Sequence, residues 1–212
     1  MAQYDNVDAL YQDIQNYVDT NESSLVKKIP AWIYLAESEL DRRLRHPAAE
    51  NVQTFKVLQG NDYLTAPIDL LELKSIKNNS TGDFLYRRSY EVLYQSQNFR
   101  NSPVAFASVS NKYLLDIPVQ EDSTFQVVYY NAPEKLSVQN SSNLYLVALP
   151  DFLLSVGLEQ AYIYDGQPEQ AQYWRMAAER QLQMLNDQIT RESYQGSTLV
   201  TYSDSSRISH YY

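Results

Sequence analysis

The chain has 212 residues, enough for one domain with an appendage and for a core that needs no disulfide or metal staple. Its 17 Lys and Arg stand against 26 Asp and Glu, a formal net charge of −9, which argues against a groove that neutralises nucleic-acid phosphates and against an anionic membrane as partner. Cys is absent, which excludes thiol nucleophiles, disulfides and thiolate metal sites. The opening MAQYDNVDAL has neither the basic nor the apolar region of a secretory signal, and no apolar run approaches the ~18 residues of a membrane span. Tyr is frequent, at 19 residues, and Gly scarce, at 5. Many Tyr suit either a wet interface or a half-buried β-surface. Few Gly disfavour phosphate-cradling loops.

Val7, Leu10, Tyr11, Ile14 and Val18 recur at helical spacing and predict a helix over 5–19, with Asp5 as its N-cap. A polar link over 20–24 follows. The second helix starts at Leu25 or Lys28 and runs to Arg45. Ile29, Trp32, Ile33, Ala36, Leu40 and Leu44 form its apolar stripe, and Pro30 falls in its first turn, where a missing N–H costs least. Glu37, Glu39, Asp41, Arg42, Arg43 and Arg45 are expected on its outward side. Pro47 ends it by pushing His46 out of the α region.

The pattern then turns β-like. Strands are expected over 54–58 and 63–65, joined as a hairpin or meander through Gly60-Asn61-Asp62, then one helical turn over 67–71 and a strand over 73–77. A loop over 78–83, a weak strand over 84–87 and a short helix over 89–96 capped by Ser89 come next. Strands over 104–109, 113–117 and 124–130 complete what reads as an antiparallel sheet without βαβ crossovers. After a polar loop over 132–143, the stretch 150–164 is apolar nearly all round and predicts a buried helix. Gly166-Gln167-Pro168 is an interhelical turn. The last helix, 168–192, carries Ala171, Trp174, Ala178, Leu182, Leu185 and Ile189 on one stripe. The polar, Ser- and Tyr-rich tail 193–212 cannot build a core and reads as an extended arm or a disordered terminus.

Catalytic constellations are nearly absent. The two His, His46 and His210, are too far apart for a metal-ligand spacing, and G-x-S-x-G, phosphate-loop, dinucleotide and EF-hand motifs are missing. Glu37, Glu39 and Asp41, and Glu121-Asp122, read as solvated carboxylates; a hydrolase would need an acidic pair buried in a cleft, with Glu37 or Asp151 as candidates. Arg87-Arg88, with Arg100 and the rings of Tyr86, Tyr90, Tyr94 and Phe99, is the local basic site, too small for nucleic acid against the overall charge. No cofactor or metal is expected.

The order of these segments is informative. IPAWIYLAESELDRRLR at 29–45 precedes a meander with GNDYLTAPIDLLE at 60–72, Ser102-Pro103 before a strand, FQVVYY at 125–130, Pro133 with Leu136-Ser137, NLYL at 143–146, Pro150-Asp151 opening a helix, and Tyr173-Trp174 in the last helix. Over roughly 25–192 this series resembles the head-to-tail adaptor (connector) proteins of tailed bacteriophages. The resemblance implies an α+β, mainly helical fold: a helical bundle (1–50 and 144–192) with an inserted small antiparallel β-domain (51–143) and an extended C-terminal arm (193–212). It implies no enzyme activity. It also implies a virion-neck protein made in the host cytoplasm: a ring, usually dodecameric, between the portal protein and a tail nozzle or tail tube protein, with DNA passing unbound through the lumen. Tyr194, Leu199, Val200, Tyr202, Ile208, Tyr211 and Tyr212 are the apolar handles of the arm and its expected portal contacts. Glu37, Asp41, Arg42, Arg43 and Arg45 are expected to pair, either between neighbouring subunits or within one helix. An acidic chain suits a lumen that repels phosphates, so carboxylates are expected on the inner wall. The alternative is a tail-side nozzle or tail-completion protein.

Overall fold

The computed structural model describes residues 4–18, 23–93 and 101–194. Helices α1 (Val7–Val18), α2 (Ser23–Val26) and α3 (Ile29–Arg43) lead, and a 3-10 turn, Pro47–Ala49, follows. The β-rich middle holds β1 (Glu50–Val57), β2 (Tyr63–Thr65), β3 (Leu70–Asn78), β4 (Tyr86–Arg87), α4 (Tyr90–Leu93), β5 (Ala105–Val109), β6 (Lys112–Leu115) and β7 (Ser123–Asn131). Helices α5 (Leu144–Ala148), α6 (Pro150–Tyr164) and α7 (Pro168–Tyr194) close the described chain. The fold is α+β.

Helix α6 is the hub of the helical part. Phe152, Leu153, Leu154, Val156, Leu158 and Ala161 are buried, so it presents apolar atoms on most sides, as its composition predicts. Val7, Leu10 and Ile14 of α1, Ile29, Trp32, Ile33, Ala36 and Leu40 of α3, and Ala178 and Leu182 of α7 pack into the same cluster. Each large aliphatic or Phe side chain buried here contributes roughly 1.5–3 kcal/mol. Gly166, at φ 74°, ends α6 in the left-handed conformation, and the N–H groups of Gly166 and Gln167 donate to the carbonyls of Ile163 and Tyr162. That reversal lays α7 back along α6.

The strands form two sheets, not the single antiparallel sheet expected. One has the order β1-β7-β3, wholly antiparallel; the other is β2-β6-β5-β4, in which the short β4 runs parallel to β5. β1 and β2 therefore do not form a hairpin: β1 pairs with β7 and β2 with β6. Both sheets close on one core of Val57, Leu64, Ile76, Leu85, Phe106, Tyr113, Leu115, Phe125, Val127 and Tyr129. The loop between β1 and β2 bonds back to the chain before β7, where Gly60 N–H donates to Val119 O and Val119 N–H to Asn61 O. These long-range ladders outcompete the local turn.

Smaller differences have local causes. Asn6, not Asp5, caps α1, its Oδ1 accepting from Ala9 N–H at 2.9 Å. Residues 67–71 make a turn leading into β3 and not a helical turn, because Leu70 is claimed by Asn131 across the ladder. α5 lies in an apolar stretch not expected to form its own helix; Asn143 Oδ1 caps it by accepting from Tyr145 and Leu146 N–H. Pro30 sits in the first turn of α3, as its missing N–H requires. His46 has extended dihedrals, φ −78° and ψ 134°, and its Nδ1 accepts from Ala48 N–H.

Candidate interaction surfaces

The acidic and basic residues of α3 divide among three tasks. Glu37 is buried, which corrects its expected place on an outward face. The reason is tertiary: the loop that returns from β7 crosses α3 there. Leu136 N–H donates to Glu37 Oε1 at 3.1 Å and Asn143 Nδ2 donates to the same oxygen at 2.6 Å. Burial raises the Glu37 carboxyl above its ordinary range, against these two hydrogen bonds and the nearby Lys135, which favour the anion. Half-buried Asp41 accepts from Lys135 Nζ and from Tyr145 Oη. Glu37 and Asp41, one helical turn apart, thus pin both sides of the returning loop. The Glu37 carboxylate holds the backbone of that loop and the Asn143 amide, while Asp151, the other carboxylate singled out, is exposed.

The second task is the joint between α3 and α7. Arg175 makes a two-pronged contact with Glu39, Nη1 to Oε2 at 2.9 Å and Nη2 to Oε1 at 2.8 Å, and Nη2 also donates to Glu179 Oε1. Arg43 bridges Glu39 and Glu179 from the other helix. Arg175 holds Glu39 below the ordinary carboxylate range, and Arg43 does the same to Glu179. Glu159 of α6 completes the group differently. Its Oε2 is buried without a hydrogen bond, 3.6 Å from Arg175 Nη1, and burial raises its carboxyl. The third task belongs to Arg45, which leaves the helix end to meet Glu72 of β3 and the carbonyls of Asp41 and Leu44. Of the set expected to pair, Glu37, Asp41, Arg43 and Arg45 all have partners in their own chain, mostly in other elements. Arg42 is exposed and has no ion pair among the described residues.

The free surface of α7 was not singled out by its sequence. Opposite the buried Ala178 and Leu182, the side chains of Tyr173, Met176, Arg180 and Met184 follow helical spacing and are all exposed. Shallow concavities run along this face, one lined by Tyr173, Met176, Ala177, Arg180 and Met184 and another by Arg43, Arg175, Met176, Glu179 and Arg180. The signal existed: Tyr173, Met176 and Met184 are large and apolar but lie off the core stripe. Further exposed apolar groups stand on the β-rich part, with Ile68, Phe84 and Tyr86 the largest. Arg87, Arg88, Ser89, Tyr90 and Ser108 line an open concavity beside them.

Tyr194 is the last residue of α7, and Leu199, Val200, Tyr202, Ile208, Tyr211 and Tyr212 lie outside the described residues, as do Tyr94, Phe99, Arg100 and His210. Among the described residues, no helix is long and apolar enough to cross a membrane, and no group of His, Asp and Glu could hold a metal ion.

The family model described as SU10 adaptor protein matches residues 5–201. No curated protein matches the chain.

Proposed function

The chain belongs to the SU10 adaptor protein family, a family of phage head-to-tail adaptors, and on that premise we propose that copies of it form a ring joining a phage portal to the tail, with DNA passing through the lumen. The observation that carries this is the family match over nearly the whole chain. The surfaces support it. A closed ring is built from heterologous contacts, so each subunit needs two unlike adhesive faces. The exposed face of α7 and the exposed apolar groups of the β-rich part are two such faces. In this reading the protein is a structural part of the virion and works by binding, without catalysis. Arg42 is the member of the α3 set left for a neighbour. The segment after α7, with Leu199, Val200, Tyr202, Ile208, Tyr211 and Tyr212, contacts the portal, gaining apolar contact in exchange for the entropy of ordering.

The test is mass by light scattering of the full chain, alone and with a matched portal ring, beside a twin ending at Glu192. Many full-length copies per portal, reduced by the truncation, support the portal-bound ring and the role of the arm. No association with the portal, together with capture by the tail nozzle, moves the protein to the tail side.

A further inference from the structure

Within the described residues, six cations of this protein are held in ion pairs, and Arg87 and Arg88 are not among them. Arg43, Arg45, Lys56, Lys74, Lys135 and Arg175 each reach a carboxylate of their own chain. Arg87 and Arg88 are exposed, adjacent and in no ion pair among the described residues, although Asp83 and Glu91 lie close in the chain. Arg87 ends β4, the outer strand of its sheet, Arg88 follows it, and both line an open concavity with the hydroxyl-bearing Ser89 and Ser108. Phe84 and Tyr86 beside them are 60% and 69% exposed, and Lys77 Nζ lies 5.9 Å from the Phe84 ring centre. Cations and open apolar area therefore coincide, the combination that gives an interface both steering and burial.

The complementary surface is in the same sequence. Asp5, Asp8, Asp13, Asp19 and Glu22 precede the first cation, Lys27, so the chain begins with a purely acidic segment. Around α1, Asp5, Asp8, Gln12 and Asn16 form one exposed stripe opposite the buried Val7, Leu10 and Ile14. Neither Asp5 nor Asp8 has an ion pair among the described residues. α1 packs on the helical core, whereas β4 edges the second sheet, so the two patches sit on different parts of one subunit. At a net charge of −9 copies of this chain repel one another at long range, and a cationic patch set against an acidic one offsets that repulsion locally.

We propose that Arg87 and Arg88 receive the acidic stripe of α1, through Asp5 and Asp8, from a second copy of this chain. The inference rests on the ring reading and names one subunit contact within it. Each subunit then offers its basic patch to one neighbour and its acidic stripe to the other, the head-to-tail arrangement that closes a ring.

Charge exchange tests it. Sedimentation velocity of the full chain, with and without a portal ring, is compared at about 0.05 and about 0.5 M salt, where screening is weak and strong. The wild type is expected to associate, at least tenfold more weakly in high salt. Arg87→Glu with Arg88→Glu, and separately Asp5→Lys with Asp8→Lys, each weaken association at least tenfold. All four substitutions together restore it to within about threefold of wild type. The four residues are exposed and in no ion pair among the described residues, so circular dichroism is expected to show every variant folded. Double variants that associate like wild type, or a fourfold variant no better than its parents, overturn the proposal. So does a wild type that stays monomeric in every condition. If the arginine variant instead loses binding to a single-stranded DNA oligonucleotide while self-association is intact, the patch serves nucleic acid. Binding to the portal is read separately in the same runs, so the adaptor reading stands or falls by itself.

Discussion

Gly157 of α6 faces Ile14 of α1 so closely that a Cβ on the glycine would lie 2.6 Å from Ile14 Cδ1 and 3.3 Å from Ile33 Cδ1. The missing side chain is what lets α1 and α3 both reach α6. Gly inside a helix costs up to about 1 kcal/mol relative to Ala, and here the cost is offset by packing. Gly157→Ala should therefore destabilise despite its better helix propensity, by about 1 kcal/mol, since overpacking costs ~1–3 kcal/mol and the Ile14 terminus can partly rotate away. Adding Ile14→Val removes the blocking atom, so the double variant should exceed additivity by about 1 kcal/mol. Urea unfolding of the four proteins checks the cycle; a Gly157→Ala chain more stable than wild type would contradict it.

Glu37 gives a pH signature. Its carboxyl is raised in the folded chain, so the protonated form is favoured by folding. Wild type should lose stability relative to Glu37→Gln as pH rises from the unfolded value, 4.5, through the raised folded value, and the gap should be constant above it. Glu37→Gln keeps an oxygen for both Leu136 N–H and Asn143, whereas Glu37→Ala strands them and should cost about 1–3 kcal/mol. Unfolding curves across pH 4–8, about the range where such a group titrates, decide this.

Asn143 tests the same joint from the other side. It caps α5 and donates to Glu37 and to the carbonyl of Glu134. Asn143→Ala should cost about 2 kcal/mol, from the lost cap and the lost charge-assisted bond. Asn143→Asp keeps the cap but sets two carboxylates together. It should be the less stable of the two at neutral pH and regain stability on acidification, visible as opposite slopes of Tm against pH.

Arg175 is the common partner of three carboxylates. Arg175→Met should cost about 1–2 kcal/mol, held down by its 35% side-chain exposure. Most of the loss is Glu159 left buried without a cation, so Glu159→Gln should recover part of it. In wild type, Glu39 and Glu179 are held below their ordinary range, so their stabilising contribution is present above that range and lost as pH falls through the lowered values. Thermal unfolding from neutral to acid pH should show that loss, and Arg175→Met should blunt it.

Helices α1, α3, α6 and α7 are legible from the sequence because periodicity is a local property. Ile29 to Leu40 and Ala171 to Leu182 repeat at 3.6 residues whatever they pack against. Strand positions are nearly as legible, but pairing is not. Tyr63–Thr65 looks like the return of β1, yet its partner is β6, nearly fifty positions on. Two sheets sharing one core bury more apolar surface than a local hairpin can, and no short window of sequence encodes that sum.

The adhesive and structural roles of charges show the same division. Composition and segment order were enough to argue for an adaptor, to exclude thiol chemistry and to mark Arg87-Arg88, since residue identity sets chemical type without reference to neighbours. Only the tertiary structure decided which charges are spent. Glu37, outward by helical period, is buried because a loop a hundred residues later supplies an N–H and an amide; Arg87 and Arg88 stay open because no carboxylate of the described chain comes to meet them. Burial and pairing depend on what long-range folding brings to a side chain, and that is a property of the packed whole.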